Sequence, residues 1–145
     1  GLRVADGVPV CWGTPDFNVR AAPDIAMVAL DSGVSATCGI RTADGGLSCW
    51  GEEIAGQLDA PDGVFSAVSI GGYFGCAIDD ERALRCWGLD QYGQVQAPPG
   101  EYTAVSAGAA HVCALTVNGG TRCWGAGGPD DGDAFPNAEQ ASPPR

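Results

Sequence analysis

The tripeptide Cys-Trp-Gly occurs four times, at Cys11, Cys49, Cys86 and Cys123, with spacings of 38, 37 and 37 residues. A second cysteine series, Cys38, Cys76 and Cys113, keeps the same step. Other positions follow it. Gly33, Gly71 and Gly108 each lie five residues before one of these cysteines, and Pro23, Pro61 and Pro98 each lie twelve after a Cys-Trp-Gly cysteine. The segments GQLDAP (56–61) and GQVQAP (93–98) superpose on the same period. A fixed period of this length means one supersecondary unit written repeatedly, and it leaves solenoids and propellers as the architectures to consider.

The content of one period decides between them. DGVFSAVSIGG (62–72) and GEYTAVSAGAA (100–110) alternate apolar and small residues over about six positions, the pattern of a half-buried strand. A turn, the segment GCAID (75–79), a hairpin turn and ALRCWG (83–88) follow. A fourth short strand is expected around GQVQ (93–96), closed by a proline that suits an edge or a connection because it donates nothing to a ladder. Four strands in roughly 37 residues describe a propeller blade, and a β-helix coil is normally shorter. The 23 Gly and 10 Pro of the 145 residues agree with short strands and tight turns.

The cysteines pair by folding the unit. When CALTVNGGTRC (113–123) is folded about Asn118, Cys113 faces Cys123, and Val117-Asn118-Gly119 forms a three-residue loop with Gly119 free to take positive φ. Cys38 with Cys49 and Cys76 with Cys86 follow the same geometry. Facing cysteines at a non-hydrogen-bonded pair stand close enough for a disulfide. Zinc is the competing use, but no C-x₂₋₄-C pair exists and the chain has one His, so no metal or other cofactor is expected. Three hairpin disulfides imply an oxidising location: extracellular, cell-surface or periplasmic.

Cys11 is left over. Residues 1–13 repeat 39–51 at eight of thirteen positions, and by that spacing the partner of Cys11 would sit one residue before Gly1. The expectation is a chain that opens inside a hairpin and stops in the connection before a next blade, a stretch of a longer array. Pairing of Cys11 with another chain, or a free thiol, are the alternatives. The expected organisation is a repeat array over 1–127, with a partial blade at 1–13 and units ending at the Cys-Trp-Gly of 49–51, 86–88 and 123–125. An acidic, Pro/Gly-rich connection or tail follows at 128–145.

Charge narrows the partners. Eighteen acidic residues stand against seven basic ones, all arginine, for a net charge of −11. Affinity for phosphate comes from neutralising it with cations, so nucleic acid and anionic membrane are poor partners. No apolar run reaches the ~18–20 residues of a membrane helix, so no membrane insertion is expected. One His, no Lys and no G-x-S-x-G elbow leave no visible nucleophile–base pair, and no pair of carboxylates is singled out for glycoside hydrolysis. The chain reads as non-enzymatic. Asp130, Asp131 and Asp133 could supply some calcium ligands, but the EF-hand spacing is absent and a solvated face is the favoured reading.

With the repeat laid out, the sequence resembles the RCC1-like β-propellers, including a short-repeat bacterial branch that contains the β-lactamase inhibitor protein II. VSAGAAHVCAL (105–115), Gly119-Gly120, Cys123-Trp124-Gly125 and the GQL of 56–58 carry the resemblance. It implies an all-β ring of seven four-stranded blades, of which this chain supplies about 3.5, with loop-bearing faces that bind proteins. In that frame GVSAT (33–37), GGYFG (71–75) and GAAHV (108–112) are face loops. Aromatic and adaptable polar residues dominate such contacts, which nominates Tyr73, Phe74 and His111, with Asp31 and Ser35 at the rim. His111 and Phe74 also have a purely structural reading, as a satisfied histidine and a packed ring. The recurring Trp12, Trp50, Trp87 and Trp124 read as core between blades.

Two functions follow as expectations. The first is a secreted binding module recognising a protein, with a glycan as the other ligand class. The second is a self-assembling subunit, in which unpaired strand edges recruit copies of the chain into a closed ring or a filament.

Overall fold

The computed structural model describes residues 1–13 and 21–126. Every regular element among them is a strand: β1 Met27–Ser32, β2 Ala36–Arg41, β3 Leu47–Gly51, β4 Phe65–Ile70, β5 Phe74–Asp79, β6 Leu84–Gly88, β7 Tyr102–Ala107, β8 His111–Thr116 and β9 Thr121–Gly125. They form three antiparallel meanders, β1-β2-β3, β4-β5-β6 and β7-β8-β9, one per repeat. The period therefore maps onto blades, and the chain is an all-β partial propeller. Residues 1–13 form a hairpin with one bridge, Leu2 to Pro9, whose Gly7 carbonyl accepts the Met27 amide of β1 at 2.9 Å. The segment expected as a connection or tail, 128–145, with Asp130, Asp131 and Asp133, lies outside the described residues.

Among the described residues the blades hold three strands, not four. The expected fourth strand around 93–96 is a turn built on a side chain instead. Gln57 is fully buried, and its Oε1 accepts the amides of Ile54 (3.2 Å) and Ala55 (2.7 Å) while its Nε2 donates to the Glu52 carbonyl (2.7 Å). Gln94 repeats the arrangement, with Oε1 accepting the Tyr92 amide at 2.7 Å. A buried amide that satisfies the local backbone removes the need for a ladder partner. The connections thus wind around a glutamine where a strand was expected.

Each first strand carries one extra residue, Val28, Ser66 or Thr103, at which its pairing register shifts. Such a bulge strengthens local twist, as strands packed in succession around an axis require. β4 packs on β1 and β2 of the preceding blade, and β7 on β4 and β5. One blade-to-blade core joins Ile40 and Leu47 to Phe65, Ile70 and Trp87, and the next joins Phe74 and Cys76 to Val112 and Trp124. Burying each large apolar side chain contributes about 1.5–3 kcal/mol, so stability resides between blades as much as within them.

The connections also serve this interface. The Trp87 indole donates to the Gln57 carbonyl and the Trp124 indole to the Gln94 carbonyl, both at 2.9 Å. Trp50 and Trp87 are buried, which agrees with the expected core role, whereas Trp12 is 77 % exposed on the 1–13 hairpin. Among the described residues no connection crosses Trp12.

The three disulfides are present: Cys38–Cys49, Cys76–Cys86 and Cys113–Cys123, with Cα atoms 4.1, 4.0 and 4.1 Å apart. That separation belongs to the closer, non-hydrogen-bonded kind of antiparallel pair. Cys11 is a free cysteine. The last hairpin has the three-residue loop expected, with Thr116 N bonded to Gly120 O (2.8 Å) and Gly119 at φ 81°. The equivalent position in the middle blade is Arg82, at φ 64°.

Candidate partner-binding face

Each blade turns twice at one end of the stack. Loops 33–35, 71–73 and 108–110 join first to second strands there. The connections 52–57 and 89–94 start beside them, because the residue after each third strand bonds to a loop tip: Glu52 N to Ser35 O (2.8 Å), Leu89 N to Tyr73 O (2.9 Å) and Ala126 N to Ala110 O (2.9 Å). Loops and connections together form one face.

The face is built without slack. A Cβ on Gly33 would run into the carbonyl oxygen of Gly71 in the next blade, and one on Gly71 would strike the Phe74 ring. This explains the glycine five residues before each second-strand cysteine: neighbouring loops stack backbone on backbone. Gly72 N adds a 3.2 Å bond to Ala109 O across the last junction. Loops held this way present their side chains at low entropy cost.

The five nominated residues separate into distinct roles. Tyr73, at a loop tip, is 36 % exposed and available. Phe74 is fully buried between blades, so its ring cannot meet a partner; its phenyl group fills the space above Gly71. His111 occupies the equivalent position above Gly108, half-buried, with Nδ1 enclosed and without a hydrogen-bond partner. Ser35 is buried rather than at the rim; its Oγ accepts from Gln57 Nε2 at 3.3 Å. Asp31 is turned to the next blade, where Oδ2 accepts from Ser69 Oγ (3.0 Å) and Ile70 N (2.8 Å). For Phe74, Ser35 and Asp31 the surface role gives way to a structural one.

Other residues on this face were not nominated. Val34 is 59 % and Ile54 54 % exposed. They flank one node, since Gln57 bonds both Ser35 Oγ and the Ile54 amide. A pocket of about 240 Å³ opens beside Val34, lined also by Trp12 and Cys11.

Charge is distributed unevenly. Glu52, Glu53 and Asp90 belong to the connections of this face. The Glu53 carboxylate accepts the Gly56 and Leu58 amides and Asp90 accepts the Val95 amide. Glu52 keeps one buried carboxylate oxygen, Oε2, with no hydrogen-bond partner. The described arginines lie elsewhere. Arg3, Arg41 and Arg82 are in hairpins at the opposite end, where Arg3 pairs with Asp6 (2.6 Å) and Arg41 with Asp44 (2.9 Å). These contacts, the side-chain hydrogen bond first, hold Asp6 and Asp44 below the usual carboxylate range. Arg85 and Arg122 follow the same hairpins on the outer strands, Arg85 bonded to Asp79 (3.0 Å). Among the described residues no group of three or more His, Cys, Asp or Glu could hold a metal ion.

Comparison with known proteins matches this geometry. The family described as the regulator of chromosome condensation (RCC1) repeat matches residues 65–94, which span the middle sheet and its connection. No curated protein matches the chain. Among solved structures, the entire ectodomain of the receptor kinase CR4 from Physcomitrella patens superposes with a TM-score of 0.75 at 27 % identity, over 86 % of this chain and 38 % of that one. The CRINKLY WD40 ectodomain of the Arabidopsis thaliana receptor kinase ACR4 gives 0.75 at 25 % identity, over 86 % and 46 %. Prp20p from Saccharomyces cerevisiae, described with its binding properties to Gsp1p and histones, gives 0.62 at 20 % identity over 79 % and 33 %, a likeness of fold. The chain spans less than half the length of each of these proteins. It folds as an RCC1-like array of β-propeller blades.

Proposed function

We propose that the chain is a non-enzymatic binding module of an extracellular or cell-surface propeller, and that it recognises a protein through the face formed by loops 33–35 and 71–73 and connection 52–57. One observation carries this reading: Tyr73, Val34 and Ile54 stand exposed on loops whose backbones are locked by contacts between blades. Exposed apolar side chains on a rigid, polar-rimmed surface are what a protein interface uses for anchoring. The three disulfides support an oxidising location, and two of the similar structures are ectodomains of receptor kinases. Prp20p, which shares the fold, is described with binding properties to Gsp1p and histones.

The test selects ligands from a random peptide library displayed on phage, using the immobilised full chain as bait. Enriched sequences are then measured as synthetic peptides on the parent chain and on Tyr73→Ala. A loss of about tenfold or more in affinity, the size of a modest hot spot, supports the face. Binding indifferent to Tyr73→Ala and to Val34→Ala overturns it.

A second reading is assembly. The outer surface of the last sheet carries an apolar depression of about 200 Å³ lined by Ala104, Val105, Ala114 and Leu115. In the first two blades the equivalent surface is covered by the next blade. A second copy covering it would make mass grow with concentration in native mass spectrometry, and a constant monomer mass would remove this reading.

A further inference from the structure

The proposed binding face has an electrostatic property that its apolar residues do not explain. Glu52, Glu53 and Asp90 sit among Val34, Ile54 and Tyr73, and every described arginine lies at the opposite end of the blades or on the outer strands next to it. At the opposite end and on the strands beside it Arg3, Arg41 and Arg85 are each ion-paired to an aspartate, while acids such as Asp80 and Glu81 stand outside those pairs. The loop face has no such compensation. One carboxylate oxygen of Glu52 is enclosed within the protein, so the carboxylates open to a partner are those of the exposed Glu53 and Asp90. Glu53 and Asp90 accept backbone amides, which fixes their position without cancelling their charge.

We infer that the partner of this face is a basic protein segment, one that sets an apolar side chain on the Val34–Ile54–Tyr73 patch and directs Lys or Arg toward Glu53 and Asp90. The inference rests on the binding face proposed above and adds the chemistry of its ligand. An acidic or neutral segment would bury the two exposed carboxylates against no positive charge, and like-charge juxtaposition at an interface is strongly unfavourable. A net charge of −11 speeds encounter with any cation. The segregation of charge determines where on the molecule it docks.

The peptides enriched from the displayed library supply the test, because general attraction to an acidic protein and docking on this face give different results. Enriched sequences are expected to carry Lys or Arg beside an aromatic or aliphatic residue. Their affinity, read by fluorescence anisotropy, is expected to fall at least about tenfold between ~50 and ~500 mM salt. The double variant Glu53→Gln/Asp90→Asn should weaken binding by about threefold or more. Asp80→Asn/Glu81→Gln, the same change in net charge at the opposite end, should leave it within about twofold, since salt screens charges beyond roughly a Debye length. Thermal unfolding of both variants verifies that the connections still fold. Enrichment of neutral or acidic sequences that still need Tyr73 overturns the basic partner and leaves the face standing. Equal weakening by the two double variants overturns docking at this face. Binding that ignores Tyr73 and Val34 overturns the underlying face instead.

Discussion

The Asp31 carboxylate of one blade and the Ser69 hydroxyl of the next are 3.0 Å apart, and the same carboxylate oxygen accepts the Ile70 amide at 2.8 Å. Ser69 then plays the part of Asp31 one blade later, its Oγ accepting the Ala107 amide at 3.0 Å. Position 31 recurs as 69 and 106, so one polar side chain per repeat fastens each first strand to the following one. Asp31→Ala leaves the Ile70 amide and the Ser69 hydroxyl without their acceptor at a half-buried junction. The expected loss is about 1–3 kcal/mol, read from urea denaturation. Asp31→Ser, which installs the residue used at the next junction, should recover a large part of it.

The hairpin disulfides each close a loop of 10 or 11 residues in sequence. Cys76→Ser/Cys86→Ser should lower stability by about 2–3 kcal/mol on the loop-entropy account, measured as the free energy of urea unfolding with the m-value fitted freely, since the unbridged unfolded chain is less compact. Thiol titration of the unreduced parent should find one reactive group, Cys11.

Arg82 takes φ 64° where the other hairpins use Gly45 and Gly119 at 71° and 81°. The left-handed conformation is costly for a residue with a Cβ. Part of the relief on removing it is offset by the greater freedom of glycine in the unfolded chain. Arg82→Gly should stabilise by about 0.5–1 kcal/mol, seen as a higher thermal midpoint. An unchanged or lower midpoint would show that the arginine side chain compensates for its backbone.

Asp79 is a buried carboxylate at the base of that hairpin. Burial pushes its pKa up, but the Arg85 guanidinium and the Ala83 and Glu81 amides outweigh it, so the group titrates below the ordinary carboxylate range. A depressed folded-state pKa stabilises the fold above the unfolded pKa, and that contribution is lost as pH falls through the folded value. Asp79→Asn should therefore be less stable than the parent at pH 7, with the gap closing as acid protonates the parent's carboxyl. Urea titrations at descending pH test this, and a gap that widens toward low pH would contradict it.

The blade period, three strands of each blade and the cysteine partners could be read from sequence because each is a spacing, and spacing survives without coordinates. What could not be read was the direction of individual side chains. Phe74 and Tyr73 are adjacent in one loop, yet one is sealed between blades and the other reaches solvent. Alternation across a turn of two residues does not settle which faces out. Ser35 resembled a rim residue until the buried Gln57 turned toward it. The glutamines themselves, recurring as Gly-Gln at 56–57 and 93–94, were counted within the repeat but read as strand. A buried polar residue at a repeat position is a sign that a side chain, rather than a ladder, satisfies the backbone there. Asp31 carried the same kind of signal in its alignment with Ser69 and Ser106.

The most direct test of the binding face is amide hydrogen exchange on the full chain with and without a saturating library-selected peptide. Slowed exchange in 33–35, 52–57 and 71–73, with the opposite-end hairpins 42–45, 80–82 and 117–119 unchanged, is the predicted result. Protection confined to those opposite hairpins would contradict the account.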